Sequence, residues 1–216
     1  MREKLKAFGK AVENFWYHHK IVTCVILFYV IAGLYLGIDA LKKSEPDMVI
    51  TYVGEAYGDE SQFARAESVL LPLVGDLNGD GKEKINYRML TVRPGTVAAA
   101  YDFVSKEQGF NYSFIDQNVR LYFIEERFLK EKEVYFEPLE GILSPESLAG
   151  AYKNADGESI GVPLSDNALA KKMDFAREGM YLAVKRVLDV ERPDDLVRKQ
   201  HEKAKEVLQY IIEGNE

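Results

Sequence analysis

The sequence predicts an α/β protein: one N-terminal transmembrane helix followed by a three-layer α/β domain with a mostly parallel sheet. Three observations predict it. Residues 21–38 run for 18 positions without a charge. Residues 48–125 alternate short β-branched runs with segments of helical periodicity, the pattern of parallel strands joined by covering helices. Beyond the apolar run the chain is long enough for one domain with a substantial core.

At about 1.5 Å per residue the apolar run makes a helix of roughly 27 Å, close to the hydrocarbon thickness of a bilayer. Phe15, Trp16 and Tyr17 precede it, where aromatic rings favour the headgroup layer. Arg2, Lys4, Lys6, Lys10 and Lys20 lie upstream, and only Lys42 and Lys43 lie close downstream. This bias places the N-terminus in the cytoplasm. The expected organisation is a basic cytoplasmic segment (residues 1–20), a transmembrane helix (21–41), a linker (42–47) and an extracytoplasmic α/β domain (48–216) in the cell membrane. A cleaved signal peptide is the rival reading. Its apolar core would span about 7–15 residues, and Asp39 beside Ala40 makes a poor cleavage site. A buried core helix would need cover around its whole apolar surface. Cys24, the only cysteine, sits near the start of the run, whereas a lipoprotein cysteine follows one. The outer domain therefore holds together without an internal disulfide.

After Ser44-Glu45-Pro46, residues 48–53 read as a buried strand ended by Gly54. Asp59 is placed to cap a helix carrying Phe63, Ala66, Val69, Leu70, Leu73 and Val74 at helical spacing. Residues 85–92 form a second strand. Pro94-Gly95-Thr96 opens a second helix through Val97, Ala100, Tyr101, Phe103 and Val104, closed near Gly109. Residues 119–125 form a third strand, and residues 126–133 a short helix. Gly161-Val162-Pro163-Leu164 reads as a strand end. Residues 181–187 alternate as a strand but also fit a helix. Pro193-Asp194-Asp195 opens a final amphipathic helix with Leu196, Val197, Ala204, Val207, Leu208, Ile211 and Ile212, ended by Gly214.

Residues 46–216 carry 21 Lys or Arg against 31 Asp or Glu, a net −10, while residues 1–20 carry +3. An acidic domain argues against nucleic acid, which demands a basic surface. It also argues against hugging an anionic membrane; solubility is the plain reading of the acidity.

One motif points to a ligand. Asp76-x-Asn78-x-Asp80-Gly81 matches the first half of an EF-hand calcium loop. Alternate side-chain oxygens would converge on the ion, Gly81 would make the sharp turn, and Lys82 would offer its carbonyl. The twelfth position is Tyr87 instead of a bidentate Glu, and a strand follows instead of a helix, so this is no EF-hand domain. Glu83 or a remote acid would have to complete the shell. The alternative is a helix-to-strand turn in which Asx side chains satisfy their own backbone. Both readings stand. The candidate metal residues are Asp76, Asn78, Asp80, Lys82 and Glu83, and the candidate cofactor is a structural calcium ion.

Catalytic signatures are missing from the sequence. His201 is the only histidine beyond the membrane segment, on the exposed-looking face of the last helix, which excludes histidine triads and multi-histidine zinc sites there. No Gly-x-Ser-x-Gly, phosphate loop or dinucleotide fingerprint is present. Glu125 and Glu126 are adjacent, so on a strand they point to opposite faces and form no acid–base pair. Tyrosines spread through the domain, Tyr52, Tyr87, Tyr122 and Tyr181 among them, suit core and rim packing, with sugar or peptide stacking as the functional alternative.

The strand at residues 49–53 with Gly54, the helix ending in Leu73-Val74-Gly75-Asp76-Leu77-Asn78-Gly79-Asp80-Gly81-Lys82, and the next strand together resemble bacterial extracytoplasmic solute-binding proteins of the type 2 periplasmic-binding class. They resemble more closely the truncated, membrane-anchored relatives of that class in Gram-positive bacteria. The likeness covers residues 47–187 and implies a fold like one lobe of a periplasmic-binding protein. Two-lobed members are about twice this length, so the enclosing cleft between lobes is missing. The expected function is a non-catalytic, single-pass membrane protein with an external interaction domain, beside a transporter or envelope complex. The alternative is a tethered domain that captures a small polar ligand such as a sugar or peptide. The expected partners are the bilayer through residues 21–41, and a membrane protein or a second copy meeting along Ile211-Ile212.

Overall fold

The computed structural model describes residues 2–42, 45–54, 60–91, 111–188 and 194–214. The chain divides into two units, Met1–Ser44 and Glu45–Glu216. The first is a single helix, α1 (Arg2–Lys42). Within it Phe15–Tyr35, 21 residues of mean hydropathy 1.5 with none of the span buried, is long and apolar enough to cross a membrane. The span includes the aromatic collar that the sequence places just before the apolar run. Nothing in the helix breaks at the expected boundary between residues 20 and 21.

The second unit is built on a six-stranded sheet. Its strands are β1 (Met48–Gly54), β2 (Ile85–Thr91), β3 (Val119–Glu125), β4 (Tyr152–Lys153), β5 (Ser159–Pro163) and β6 (Met180–Val184), in the order β2-β1-β3-β6-β5-β4. Every residue of β1 is buried, as a near-continuous apolar strand requires when both sheet faces are covered. Its side chains alternate between two cores. Met48, Ile50 and Tyr52 pack with Ala66, Leu70 and Val74 of α2 (Glu60–Val74) and with Ala204, Val207, Leu208 and Ile211 of the last helix. Val49 and Val53 pack on the other face with Phe114, Phe128, Leu129 and Phe136. Burying both faces of the same strands is what makes the domain three-layered.

The sheet is parallel in its core, as expected, but mixed as a whole. β2, β1 and β3 pair in parallel, whereas β3–β6, β6–β5 and β5–β4 are antiparallel. The reason lies in the connections. The five residues between β4 and β5 make a turn, with the N–H of Gly157 donating to the carbonyl of Asn154 and Gly157 at φ 84°, and a turn of that length joins only antiparallel strands. β3 also carries a bulge: Val49 pairs with Val119 but Ile50 with Leu121, so Arg120 is the extra residue. The bulge is why Val119 and Tyr122 serve one core while Leu121 and Phe123 serve the other.

Two short helices follow β3 and β5: α3 (Glu126–Glu131) and α4 (Ala168–Met173). α4 and β4 are absent from the sequence reading; β4, at two residues, is too short to carry a period. The segment read as 181–187 forms strand β6 over Met180–Val184, flanked by β3 and β5, and continues as an isolated bridge at Lys185 and not as a helix. The final helix, α5 (Asp195–Glu213), begins as read: the Asp194 carboxylate accepts the Val197 N–H at 2.8 Å. The expected cap at Asp59, the helix over residues 94–109 and Pro193 lie outside the described residues; backbone at 111–115 is helical.

One reading of α5 is corrected. His201 is buried, 6% exposed, and not on an open face. Beside it Gln200 is 1% exposed and its Nε2 donates to the Pro46 carbonyl, so α5 buries a polar stripe against the start of β1 as well as its apolar one. Ile211 is buried in the chain's own core, whereas half-buried Ile212 packs against that core and keeps part of its surface for the expected seam.

Candidate functional site

The two ends of the sheet differ in chemistry. At the amino end lies the Asp-rich loop, and its organiser is a residue outside the motif. Asp47, immediately before β1, is fully buried. Its Oδ1 accepts the N–H groups of Leu77 at 2.8 Å and Asn78 at 3.1 Å, and its Oδ2 accepts that of Lys84 at 2.7 Å. The Asp47 N–H in turn donates to the Lys84 carbonyl. A carboxylate that takes three amide donors is well compensated for its burial.

The five candidate metal residues sit where the sequence places them, in the link from α2 to β2. Asp76 accepts the N–H of Gly79 at 2.7 Å and of Gly81 at 2.8 Å. Asn78 Oδ1 accepts from Asp80, and Asp80 Oδ1 accepts from Lys82. The Asn78 amide donates to the Glu45 carbonyl. Gly75, Gly79 and Gly81 all adopt positive φ, 67°, 76° and 79°. These are the contacts of a self-satisfied Asx turn. Glu83 is exposed, and Tyr87 turns away to pack its ring 5.4 Å from Phe63. Among the described residues no group of three or more His, Cys, Asp or Glu is placed to hold a metal.

At the carboxyl end, β1 and β3 are neighbours whose onward connections cover opposite faces: α2 packs with one core, while Phe128 and Leu129 of α3 belong to the other. Such a switch point is where open α/β sheets place their ligands. Tyr52, Gly54 and Glu125 meet there. A Cβ on Gly54 would lie 2.6 Å from both Tyr52 Oη and Glu125 Oε1, so only glycine lets the phenol and the carboxylate lean over the strand end. Thr91 closes the row, since Gly54 and Thr91 are register partners. Alternation from Ile85 and Tyr87 puts Thr91 on the same face. Tyr52 and Thr91 are 2% and 3% exposed, and neither hydroxyl has a hydrogen-bond partner among the described residues. Burial pushes the Tyr52 phenol above its ordinary value; the Glu125 charge adds to this and Arg177 offsets it. Phe175, two residues before Arg177, stacks 6.0 Å from Tyr52 and 4.2 Å from Phe123 and so sets the wall under the cluster.

Comparisons with protein-family models, curated proteins and solved structures found no match to this chain.

Sequence reasoning singled out none of this carboxyl-end cluster as a site. Tyr52 was legible as a packing tyrosine and Gly54 as a strand end. The available signal was a glycine closing the first strand of a β-α-β unit, with an acid closing the third. Glu125 closes β3 and Glu126 opens α3, so the adjacent acids do not share a strand; burial chiefly raises the Tyr52, Tyr152 and Tyr181 phenols, with Glu125 adding to the first and Glu126 to the other two. His201 Nε2 lies 3.3 Å from Glu137 Oε2, a pair of a buried imidazole and a half-buried carboxylate.

Proposed function

We propose that this chain is a single-pass membrane protein whose α/β domain is a non-catalytic binding module on the outer side, kin to one lobe of the type 2 solute-binding proteins and working beside a transporter or envelope complex. The observation that carries the reading is α1: a 21-residue span of mean hydropathy 1.5, none of it buried, in a chain whose other unit has its own two cores. An uncovered apolar helix of that length calls for lipid. The N-terminal Lys/Arg excess supports an inward N-terminus, and the acidity of residues 46–216 supports a domain that stands off anionic lipid. The Asp76 loop serves as a structural brace in this reading, with calcium as its proposed ion.

Membrane fractionation of the full chain tests it. The protein is expected to stay in the pellet through alkaline carbonate, with residues 45–216 open to protease on intact cells from which the wall has been removed. Release by carbonate, or protection of that domain until the membrane is breached, refutes the reading. The second reading, capture of a small polar ligand, is favoured by one specific observation, the two unpartnered hydroxyls at the switch point.

A further inference from the structure

We infer that the carboxyl end of β1, β2 and β3 is a binding site for a neutral polyhydroxylated small molecule of monosaccharide size, held by Tyr52, Thr91 and Glu125. The inference deepens the second reading, capture of a small polar ligand by residues 45–216, and rests on it.

Buried polar groups in folded proteins almost always find partners. Among the described residues Tyr52 Oη and Thr91 Oγ1 have none, and they flank the same glycine from the same strand and from its register partner. A hydroxyl left unmatched in an apolar setting costs about 1–3 kcal/mol, so a pair of them is an expensive way to fill a core. Phenylalanine and valine would fill both positions with almost the same shape. Their placement is informative as well: both lie at the end of the sheet, and on the strands, where α/β proteins take ligands. Half-buried Glu125 stands with the Tyr52 hydroxyl over Gly54, so a partly open carboxylate lies at the same strand end as the two buried hydroxyls.

The ligand class follows from what the groups exchange. Tyr52 and Thr91 each donate and accept one hydrogen bond, and Glu125 only accepts. Glu125, held over Gly54, disfavours a bare anion, and a bare cation offers no acceptor to the two O–H groups. Adjacent hydroxyls on a sugar or cyclitol match this set: two donate to the Glu125 carboxylate, and others trade bonds with Tyr52 and Thr91.

The test is calorimetric titration of the full chain in a detergent without a sugar headgroup. The probes are D-glucose, D-galactose, D-mannose and myo-inositol, with glycine and inorganic phosphate as the charged arms. At least one polyol is expected to bind. Tyr52→Phe, Thr91→Val and Glu125→Gln should each weaken it about tenfold, the factor that one lost hydrogen bond of this kind carries. Tyr52→Phe and Thr91→Val keep their shape and should melt no lower than the parent without ligand, which separates lost binding from lost folding. No binding by any polyol overturns the inference, as does binding that survives all three substitutions, or binding confined to glycine or phosphate. Crosslinking of the same preparations to membrane neighbours keeps the two claims apart: a retained partner with no polyol binding sinks the ligand site and leaves the binding-module reading standing.

Discussion

Replacing Asp47 with alanine should be among the most damaging single changes in the domain. The side chain is fully buried and accepts three backbone N–H groups, from Leu77, Asn78 and Lys84. Hydrogen bonds to an ionised acceptor contribute about 1.5–3 kcal/mol each. Leu77 and Asn78 are half-buried and Lys84 is exposed, so water recovers part of the loss. The expected cost is therefore about 3–5 kcal/mol, below the simple sum. That is a large fraction of the roughly 5–15 kcal/mol that holds a domain folded. At about 2–4 °C per kcal/mol for this size it corresponds to a fall in Tm of about 10 °C. Asp47→Asn should lose less, because its oxygen still serves one side while its amide opposes a donor on the other. Urea denaturation followed by circular dichroism measures both, in calcium and in EDTA. Both Asp47 oxygens are spent on amides, so the loss should be the same with and without calcium. A loss under about 1 kcal/mol, or rescue of Asp47→Ala by calcium, would refute the claim that this carboxylate anchors the loop.

Three further outcomes are expected. Asp76→Ala should cost about 1–2 kcal/mol through the Gly79 and Gly81 amides it leaves unmatched; parallel melts in calcium and EDTA tell the two readings of the loop apart, since an equal loss marks a turn and a loss confined to calcium marks a metal ligand. The Glu137 carboxyl is held below its ordinary value of 4.5, first by its hydrogen bond from His201. A depressed carboxyl pKa stabilises the fold above the unfolded-state value, and that stability is lost as pH falls through the folded one; the stability gap between parent and Glu137→Gln should therefore be full near neutral pH and close below pH 4.5, and a gap that does not change with acid titration in urea would count against the pair. Gly161→Ala should destabilise by about 1–3 kcal/mol because its Cβ would sit 2.7 Å from Leu129 Cδ2, and wild-type stability in urea would show that the β5–α3 contact yields easily.

The elements the sequence states most clearly are those with a long local signature. β1, α2, β2, β3 and α5 appear within a residue or two of where hydrophobic period and capping residues put them. Each has an apolar run buried on both faces, an alternating pattern as in β2, or a stripe at helical spacing, and those patterns do not depend on distant partners. β4, β6 and α4 lack such patterns or share them with another state. Residues 181–187 fit a strand or a helix equally until β3 lies alongside. His201 was misplaced for a related reason: helical spacing identifies the apolar stripe of α5, but not that Gln200 and His201 would be buried against Pro46 and Glu137.

The candidate sites divide in the same way. The Asp76 loop is written in consecutive residues, so its turn chemistry is legible without a fold, yet Asp47, which holds it down, lies about thirty residues earlier in the chain. The carboxyl-end cluster gathers Tyr52, Thr91, Glu125 and Arg177 from four separate stretches of chain. Only the order β2-β1-β3 makes Gly54 the neighbour of both Thr91 and Glu125. The sequence by itself determined the apolar span, the charge asymmetry and the main strands and helices, because each is a short-range property of side chains along one segment. Tertiary structure alone decided strand order, the mixed direction of the sheet and which hydroxyls are left without partners. Those depend on which distant segments come to lie side by side, and no local spacing encodes that.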